Sequence, residues 1–249
     1  LKKNDFCLFF TTSTDIGLTA ECRTFGYTFI NCKNPMTITS TKTSSKLDLV
    51  KHYKSYYSAR NTPEVLTLEE AHYLSLTGQG DPNGADFKAG IQALFPVAYG
   101  IKFLCKSRGR DFTVPKLEAQ WWFDKRYAGL SMAEAPRQIP RADWQWRLLI
   151  RLPDFVTAEV VASVRKAVLE KKKVALIGDV RCYTLTEGKV VQMLHNGPFD
   201  REPESLQIMQ EFMTLHNLQH AGHHHEIYLS DFNKVAPAKL KTILREPVQ

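Results

Sequence analysis

No stretch of this 249-residue chain approaches the roughly 18 consecutive apolar residues that a membrane-spanning helix requires. No two of its five cysteines (Cys7, Cys22, Cys32, Cys105 and Cys182) form a CxxC pair. Their odd number argues against a disulfide framework, so they read as reduced thiols of a cytoplasmic protein. Lys2-Lys3 followed by Phe6–Phe10 imitates an export signal, but that apolar stretch is shorter than the roughly 7–15 residues such a signal needs. Several catalytic signatures are also missing. There is no Gly-x-Ser-x-Gly elbow, and the glycine-rich loop Gly78–Gly84 lacks the Lys-Ser/Thr of a phosphate loop, which leaves it as a turn. His216, His220, His223, His224 and His225 cluster, and His216 and His220 have helical i, i+4 spacing. Without an HExxH motif or a cysteine pair they are expected to be a polar loop, with no metal and no other cofactor.

What the chain does contain is apolar mass. It is 43% hydrophobic and 11% aromatic, which supports a substantial core and excludes wholesale disorder. The net charge of +7 is spread along the sequence, with local clusters only at Lys106–Arg110 and Lys171–Lys173. That pattern reads as solvated lysines rather than a nucleic-acid surface. Residues 1–35 look foreign to the rest and hold three of the cysteines, and Met36 is followed by a Thr/Ser/Lys run from Thr37 to Ser45. Residues 1–45 are expected to be a leader, with Met36 the biological start, or a disordered extension. The folded domain is then 46–249.

Within that domain the spacing predicts an α+β fold. A charged helix is expected over 46–59, a strand over 64–78, and a helix carrying Phe87, Ile91, Leu94, Ala98, Ile101 and Cys105 on one stripe. Pro96 should kink it. Strands follow at 112–114, 117–123 and 144–152. Thr157 caps a helix with the stripe Val160, Val161, Val164, Ala167 and Val168. A hairpin is expected around Glu187-Gly188, then a helix starting at Pro203, a strand over 223–229 and a terminal helix over 236–244. Strand, helix, strand, strand occurs in each half, which suggests two modules with a groove between their sheets.

Alternation along strands selects candidate residues, because neighbouring side chains point to opposite faces. His224, Glu226 and Tyr228 share one face of the final strand, opposite Ile227 and Leu229. Glu118, Gln120 and Trp122 share a face, as do Trp144, Trp146, Leu148 and Ile150. Tryptophan offers large flat surfaces that stack on planar rings and attract cations, so at least two of the four are expected to line a concavity. A carboxylate among rings allows two chemistries. It can hold a lipophilic cation, or, with its pKa raised by burial, it can act as a base on water. The residues do not choose between them.

The runs Tyr99–Phe103, Lys116–Trp122, Ile139–Arg151, Pro153–Thr157, His195–Phe199 and His225–Asp231 occur in the order found in the GyrI-like small-molecule-binding family. The chain from Lys46 to Val248 resembles that family, which is related to effector-binding domains of AraC- and MerR-type regulators. It is most similar to the stand-alone branch without a DNA-binding domain. The resemblance implies two pseudo-symmetric strand-helix-strand-strand modules around a central cleft that captures hydrophobic xenobiotics. It also implies kinship with hydrolases that open the cyclopropane of spirocyclopropane DNA alkylators. By this likeness Glu226, with Tyr228, carries the chemistry. Glu118, Trp122, Trp144, Trp146, Tyr99, His195, Phe199 and His224 are expected to meet the ligand. One departure is Ala119-Gln120, where the family pattern has a glycine after the glutamate. The expected partner is a flat hydrophobic small molecule, with no membrane and no direct nucleic-acid contact.

Overall fold

The computed structural model describes residues 46–127, 129–131 and 133–249, so the expected N-terminal extension lies outside the described residues. The chain runs β1 (Leu47–Asp48), α1 (Leu49–His52), β2 (Glu64–Leu68), β3 (Ala71–Gln79), α2 (Ala85–Ser107), β4 (Phe112–Thr113) and β5 (Leu117–Trp122). It continues through α3 (Ala135–Gln138), β6 (Gln145–Arg151), α4 (Ala158–Lys172), β7 (Arg181–Leu185), β8 (Gly188–Asn196), α5 (Glu202–Leu215), β9 (His224–Tyr228) and β10 (Lys241–Pro247). Eight strands form one antiparallel sheet in the order β2-β8-β10-β9-β5-β6-β3-β7, and β1 pairs with β4 in a small parallel pair. The fold is α+β, as the periodicities indicate. Its connectivity repeats: β3-α2-β5-β6, with the short β4 set aside, and β8-α5-β9-β10 are each a strand, a helix and two further strands, with the last strand of the chain segment in the middle of its three-stranded group.

Both module helices cover one face of the sheet. Leu94, Val97, Ala98 and Ile101 of α2 pack on Leu74, Leu148, Ile150 and Ala119. Leu206, Met209 and Met213 of α5 pack on Val191, Met193 and Leu244. Register puts these residues on the same side, because Ala119 and Leu244 both face Glu226 on β9. Pro96 is accommodated inside α2, and Thr157 caps α4 by accepting from the Val160 N–H. Trp146 lies flat beneath β3 and α2. A Cβ at Gly78 would fall 2.2 Å from its ring, and one at Gly90 3.0 Å away, so both glycines are needed for that packing. Among the α4 stripe residues Val161 and Val164 are buried, whereas Ala167 is exposed.

Three expectations are corrected. The helix over 46–59 shrinks to α1. Asp48 caps it, but after Tyr53 the chain turns so that Tyr56 and Tyr57 reach down onto the sheet. The hairpin at Glu187-Gly188 is not one, because β7 and β8 pair with different strands. Instead 64–79 and 181–196 form one long bent antiparallel ribbon. Leu68 faces Gly188, Ala71 faces Leu185, and the register passes unbroken through a hydrogen bond from Thr186 to Glu70. Finally, the terminal helix is absent. Lys241–Pro247 is a central strand paired on both sides, and its residues from Thr242 to Pro247 are buried on both faces, which erases the alternation that would have revealed it.

Candidate functional site

β9 carries Glu226 on the helix-bearing face, between Ala119 of β5 and Leu244 of β10. Ala119 belongs to the apolar cluster under α2 and Leu244 to the one under α5, so Glu226 stands at the seam between the two modules. The two-residue strand period brings His224 and Tyr228 to the same face. The Tyr228 hydroxyl donates to Glu226 Oε2 at 2.6 Å. His224 Nε2 lies 3.4 Å from Glu226 Oε1 without the alignment of a hydrogen bond. Its Nδ1 is 2.5 Å from Glu246 Oε1, and Glu246 Oε2 is 3.3 Å from His220 Nδ1. Burial opposes charge on His224, but Glu246 and Glu226 outweigh it and raise the imidazole to about 10. Burial likewise opposes ionisation of Glu246, yet His224 and His220 bring that carboxyl down to about 2. An imidazolium is thus held between two carboxylates.

Two further groups complete the site. Burial, and then the charge of Glu226, push the Tyr228 phenol well above its ordinary range, so it remains a hydroxyl. Glu202, the first residue of α5, is 8% exposed, and its Oε1 meets no partner. Burial first, then the neighbouring Glu226 charge, raise its carboxyl well above the usual carboxylate range, against the opposing pull of His224 and a hydrogen bond with Thr242. Glu202 was not singled out from the sequence. Its position at a helix start reads as an ordinary first-turn acid.

A cavity of about 330 Å³ opens beside Tyr228, lined also by Ile91, Phe95, Leu117 and Phe232. Phe199 and Phe232 each meet the Tyr228 ring edge-on at 5.8 Å and each other at 6.1 Å. Glu226 sits behind Tyr228, with its side chain 12% exposed. The cavity wall also includes Lys116, Ser230, Asp231 and Asn233, and Tyr228 links the space to Glu226, so the rings suit a planar ligand that carries polar groups at its edge. The same arrangement sets a base beside a hydroxyl donor.

The opposite face of the sheet holds a second charged cluster. Glu118 accepts hydrogen bonds from Tyr56 at 2.5 Å and Tyr57 at 3.2 Å, and His225 Nε2 lies 3.1 Å away. His225 Nδ1 is 2.9 Å from Glu187, which also faces Arg245 at 3.5 Å. Arg245 donates to Gln192 and to the Tyr56 carbonyl, and its guanidinium lies over the Tyr56 ring. Burial opposes the His225 charge, but Glu187 and Glu118 raise it to about 9. Burial works against ionisation of Glu187 too, yet His225 and Arg245 lower its pKa.

Of the residues expected to meet the ligand, Glu226, Tyr228, His224 and Phe199 are brought together. His195 is on the same face, buried, with Nδ1 2.9 Å from Ser205 and Nε2 3.1 Å from the Pro198 carbonyl, where it holds the approach to α5. Glu118 is not brought in, being fully buried on the other face. Trp122 is half-buried on that face too, stacked on His223 and donating to Gln145. The tryptophan wall is a correction. Trp144 and Trp146 are sealed in the α2 core, as is Trp121. Phenylalanines and a tyrosine form the wall instead, because indoles are more valuable as core filler between β3, β5, β6 and α2. Tyr99 is exposed on α2, spaced between Phe95 and Phe103. Among the described residues no group of three or more His, Cys, Asp or Glu side chains is arranged to hold a metal ion, and no helix is long and apolar enough to cross a membrane.

A family model for the GyrI-like small molecule binding domain matches residues 152–249. A solved Listeria innocua structure described as an uncharacterized conserved protein is 35% identical, covers 82% of this chain and all of its own length, and superposes with a TM-score of 0.73. Two Listeria innocua structures described as hydrolases are each 34% identical with the same coverage, at TM-scores of 0.70 and 0.71. No curated protein matches in sequence. The chain belongs to the GyrI-like small-molecule-binding family.

Proposed function

We propose that residues 46–249 form a cytoplasmic detoxifying domain that takes a flat hydrophobic xenobiotic into the Tyr228 cavity and hydrolyses the cyclopropane ring of spirocyclopropane alkylators. The observation that carries the reading is the 2.6 Å hydrogen bond between Tyr228, at the cavity wall, and Glu226, at the seam between the modules. The two Listeria innocua relatives described as hydrolases add support for an enzyme. In this reading Phe199 and Phe232 hold the aromatic ring system while water is placed against the strained methylene. The water oxygen bonds to that carbon as the bond to the spiro carbon breaks. The freed electron pair passes through the conjugated ring to the carbonyl oxygen, which becomes a phenolate. Glu226 takes the proton that the water gives up, and the Tyr228 hydroxyl fixes the orientation of its carboxylate.

Incubating the purified protein with a spirocyclopropyl cyclohexadienone tests this directly. The expected product is heavier by one water. Glu226→Gln should abolish turnover and leave binding of the apolar probe largely intact, since stacked area supplies most of the affinity. Absence of product from the parent protein would overturn the hydrolase reading. Binding without product, indifferent to Glu226→Gln, would assign sequestration of the drug instead.

A further inference from the structure

The geometry points to Lys116 as the group that receives the anionic oxygen of the ligand, the carbonyl oxygen that ring opening turns into a phenolate. The inference deepens the hydrolase reading above and rests on it for the reaction, though not for the binding. Among the described residues that line the cavity, Lys116 is the one cation. It immediately precedes β5, whose first residue Leu117 lines the cavity too. Its ammonium donates to the Leu229 carbonyl at 2.7 Å, and Leu229 lies between Tyr228 and Ser230, both of which line the cavity. That bond fixes the ammonium at the cavity edge. An ammonium carries three N–H donors, so two remain for a ligand. The cavity's own carboxylate, Asp231, is already engaged. Its Oδ2 accepts from Lys234 at 2.6 Å and its Oδ1 from the Asn233 N–H at 3.1 Å. A flat ligand held against Phe95 and Phe232 therefore meets one fixed positive charge at its edge.

Such a charge answers the electronic demand of the reaction. The carbon–carbon bond that breaks leaves its electron pair on the conjugated ring, and the charge ends on the carbonyl oxygen. A fixed ammonium is worth more beside that oxygen than in water, because a bound ligand excludes solvent and the cation need not reorganise as charge develops. Hydrogen bonds from an ionised donor to an anionic oxygen are also the strong ones. Lys116 keeps its own proton throughout. Water's proton goes to Glu226 and from there to solvent, and the phenolate takes up a solvent proton once it leaves the cavity. The sum is one water added across one carbon–carbon bond. The same cation sets specificity, since it favours a planar molecule with an electron-rich oxygen at one edge over a hydrocarbon of equal area.

Three variants separate charge from packing. Lys116→Met keeps the aliphatic stem, Lys116→Gln keeps an N–H donor without the charge, and Lys116→Arg keeps the charge. The first measurement needs no turnover. The phenol that ring opening of a spirocyclopropyl cyclohexadienone yields is made chemically and bound to each protein, and its ionisation is followed by phenolate absorbance. On the parent it should ionise at a pH about 1–3 lower than in water, the effect of an opposite charge within about 4–6 Å. Lys116→Arg should retain that change, and the two neutral variants should lose it. The second measurement is turnover of the cyclohexadienone itself. It should fall about 100-fold in the neutral variants, the loss that removing one oxyanion donor brings, and less than about tenfold in Lys116→Arg. Ionisation on the parent at the same pH as in water overturns the assignment. So does an unchanged ionisation or undiminished turnover in a neutral variant that keeps the parent's thermal midpoint. A parent that lowers the ionisation of the phenol yet turns over no cyclohexadienone overturns the hydrolase reading and leaves Lys116 as the receiver of the anionic oxygen.

Discussion

β9 separates two clusters built from nearly the same side chains. On the helix-bearing face are Glu226, Glu246 and His224; on the other are Glu118, Glu187 and His225. They differ in how completely they are partnered. Three tyrosines close over or beside Glu118, and Arg245 supplies a second cation, so two carboxylates meet two positive groups beneath α1 and the turn that follows it. The Glu226 cluster has one imidazolium for two carboxylates, an additional carboxyl at Glu202, and a cavity alongside. Composition therefore does not distinguish a working site from a structural one. Unfilled hydrogen-bonding capacity next to open space does.

The contrast can be broken most forcefully from the sealed side. Arg245→Leu leaves Glu187 buried with only His225 for company, and urea unfolding should register a loss of about 3–5 kcal/mol. Trp146→Ala should cost a similar 3–5 kcal/mol through the hole left beneath β3 and α2. It is expected to weaken ligand binding only as far as it unfolds the protein, where a cleft tryptophan would lose affinity at unchanged stability. A midpoint unchanged in either variant would contradict the packing described.

The two clusters should also separate along the pH axis. Glu246 and Glu187 have folded pKa values below their unfolded ones, so their stabilisation is present above about pH 4.3 and fades as pH falls, for Glu246 through about 2. His224 and His225 have raised values, so theirs is complete below about pH 6.5 and is lost as pH rises, through about 9 for His225 and about 10 for His224. Stability measured against pH should therefore be greatest between these limits. On the alkaline side the imidazole signals of both His225 and His224 should titrate well above the ordinary histidine range, and a midpoint near about 6.5 for either one in an NMR titration would refute the assignment. Smaller effects follow at the rim. Phe199→Ala should weaken a planar aromatic ligand about tenfold by calorimetry, with stability changed by under about 0.5 kcal/mol because the ring is 39% exposed. Trp122→Ala, on the far face, should leave that affinity within about twofold of the parent's.

Where side chains alternate or repeat cleanly, the chain's own pattern was enough. The α2 stripe, the Thr157 cap and the shared face of His224, Glu226 and Tyr228 are all legible in it. β10 was not, because a strand buried on both faces carries Thr, Ile, Leu, Arg and Glu in succession and shows no period. The same blindness hid the Glu118 cluster. Nothing local in Glu118, Glu187 or Arg245 says that they meet from strands far apart in the chain, or that Tyr56 and Tyr57 fold over them. The tryptophans misled for a related reason, since alternation assigns a side chain to a face but cannot say what covers that face. Glu202 gave no signal at all, because its significance lies in a missing hydrogen bond.

The bent ribbon has a consequence for how the molecule behaves among its own copies. The sheet's two outermost strands, β2 and β7, are only five residues long, and each is the continuation of a strand whose other half is locked in the interior. Such a border cannot peel away or trade places with a neighbour's strand unless β3 or β8 is torn loose as well. The backbone groups most open to intermolecular pairing are therefore anchored by β3 and β8, which are paired on both sides, a built-in defence against strand exchange and sheet-to-sheet aggregation.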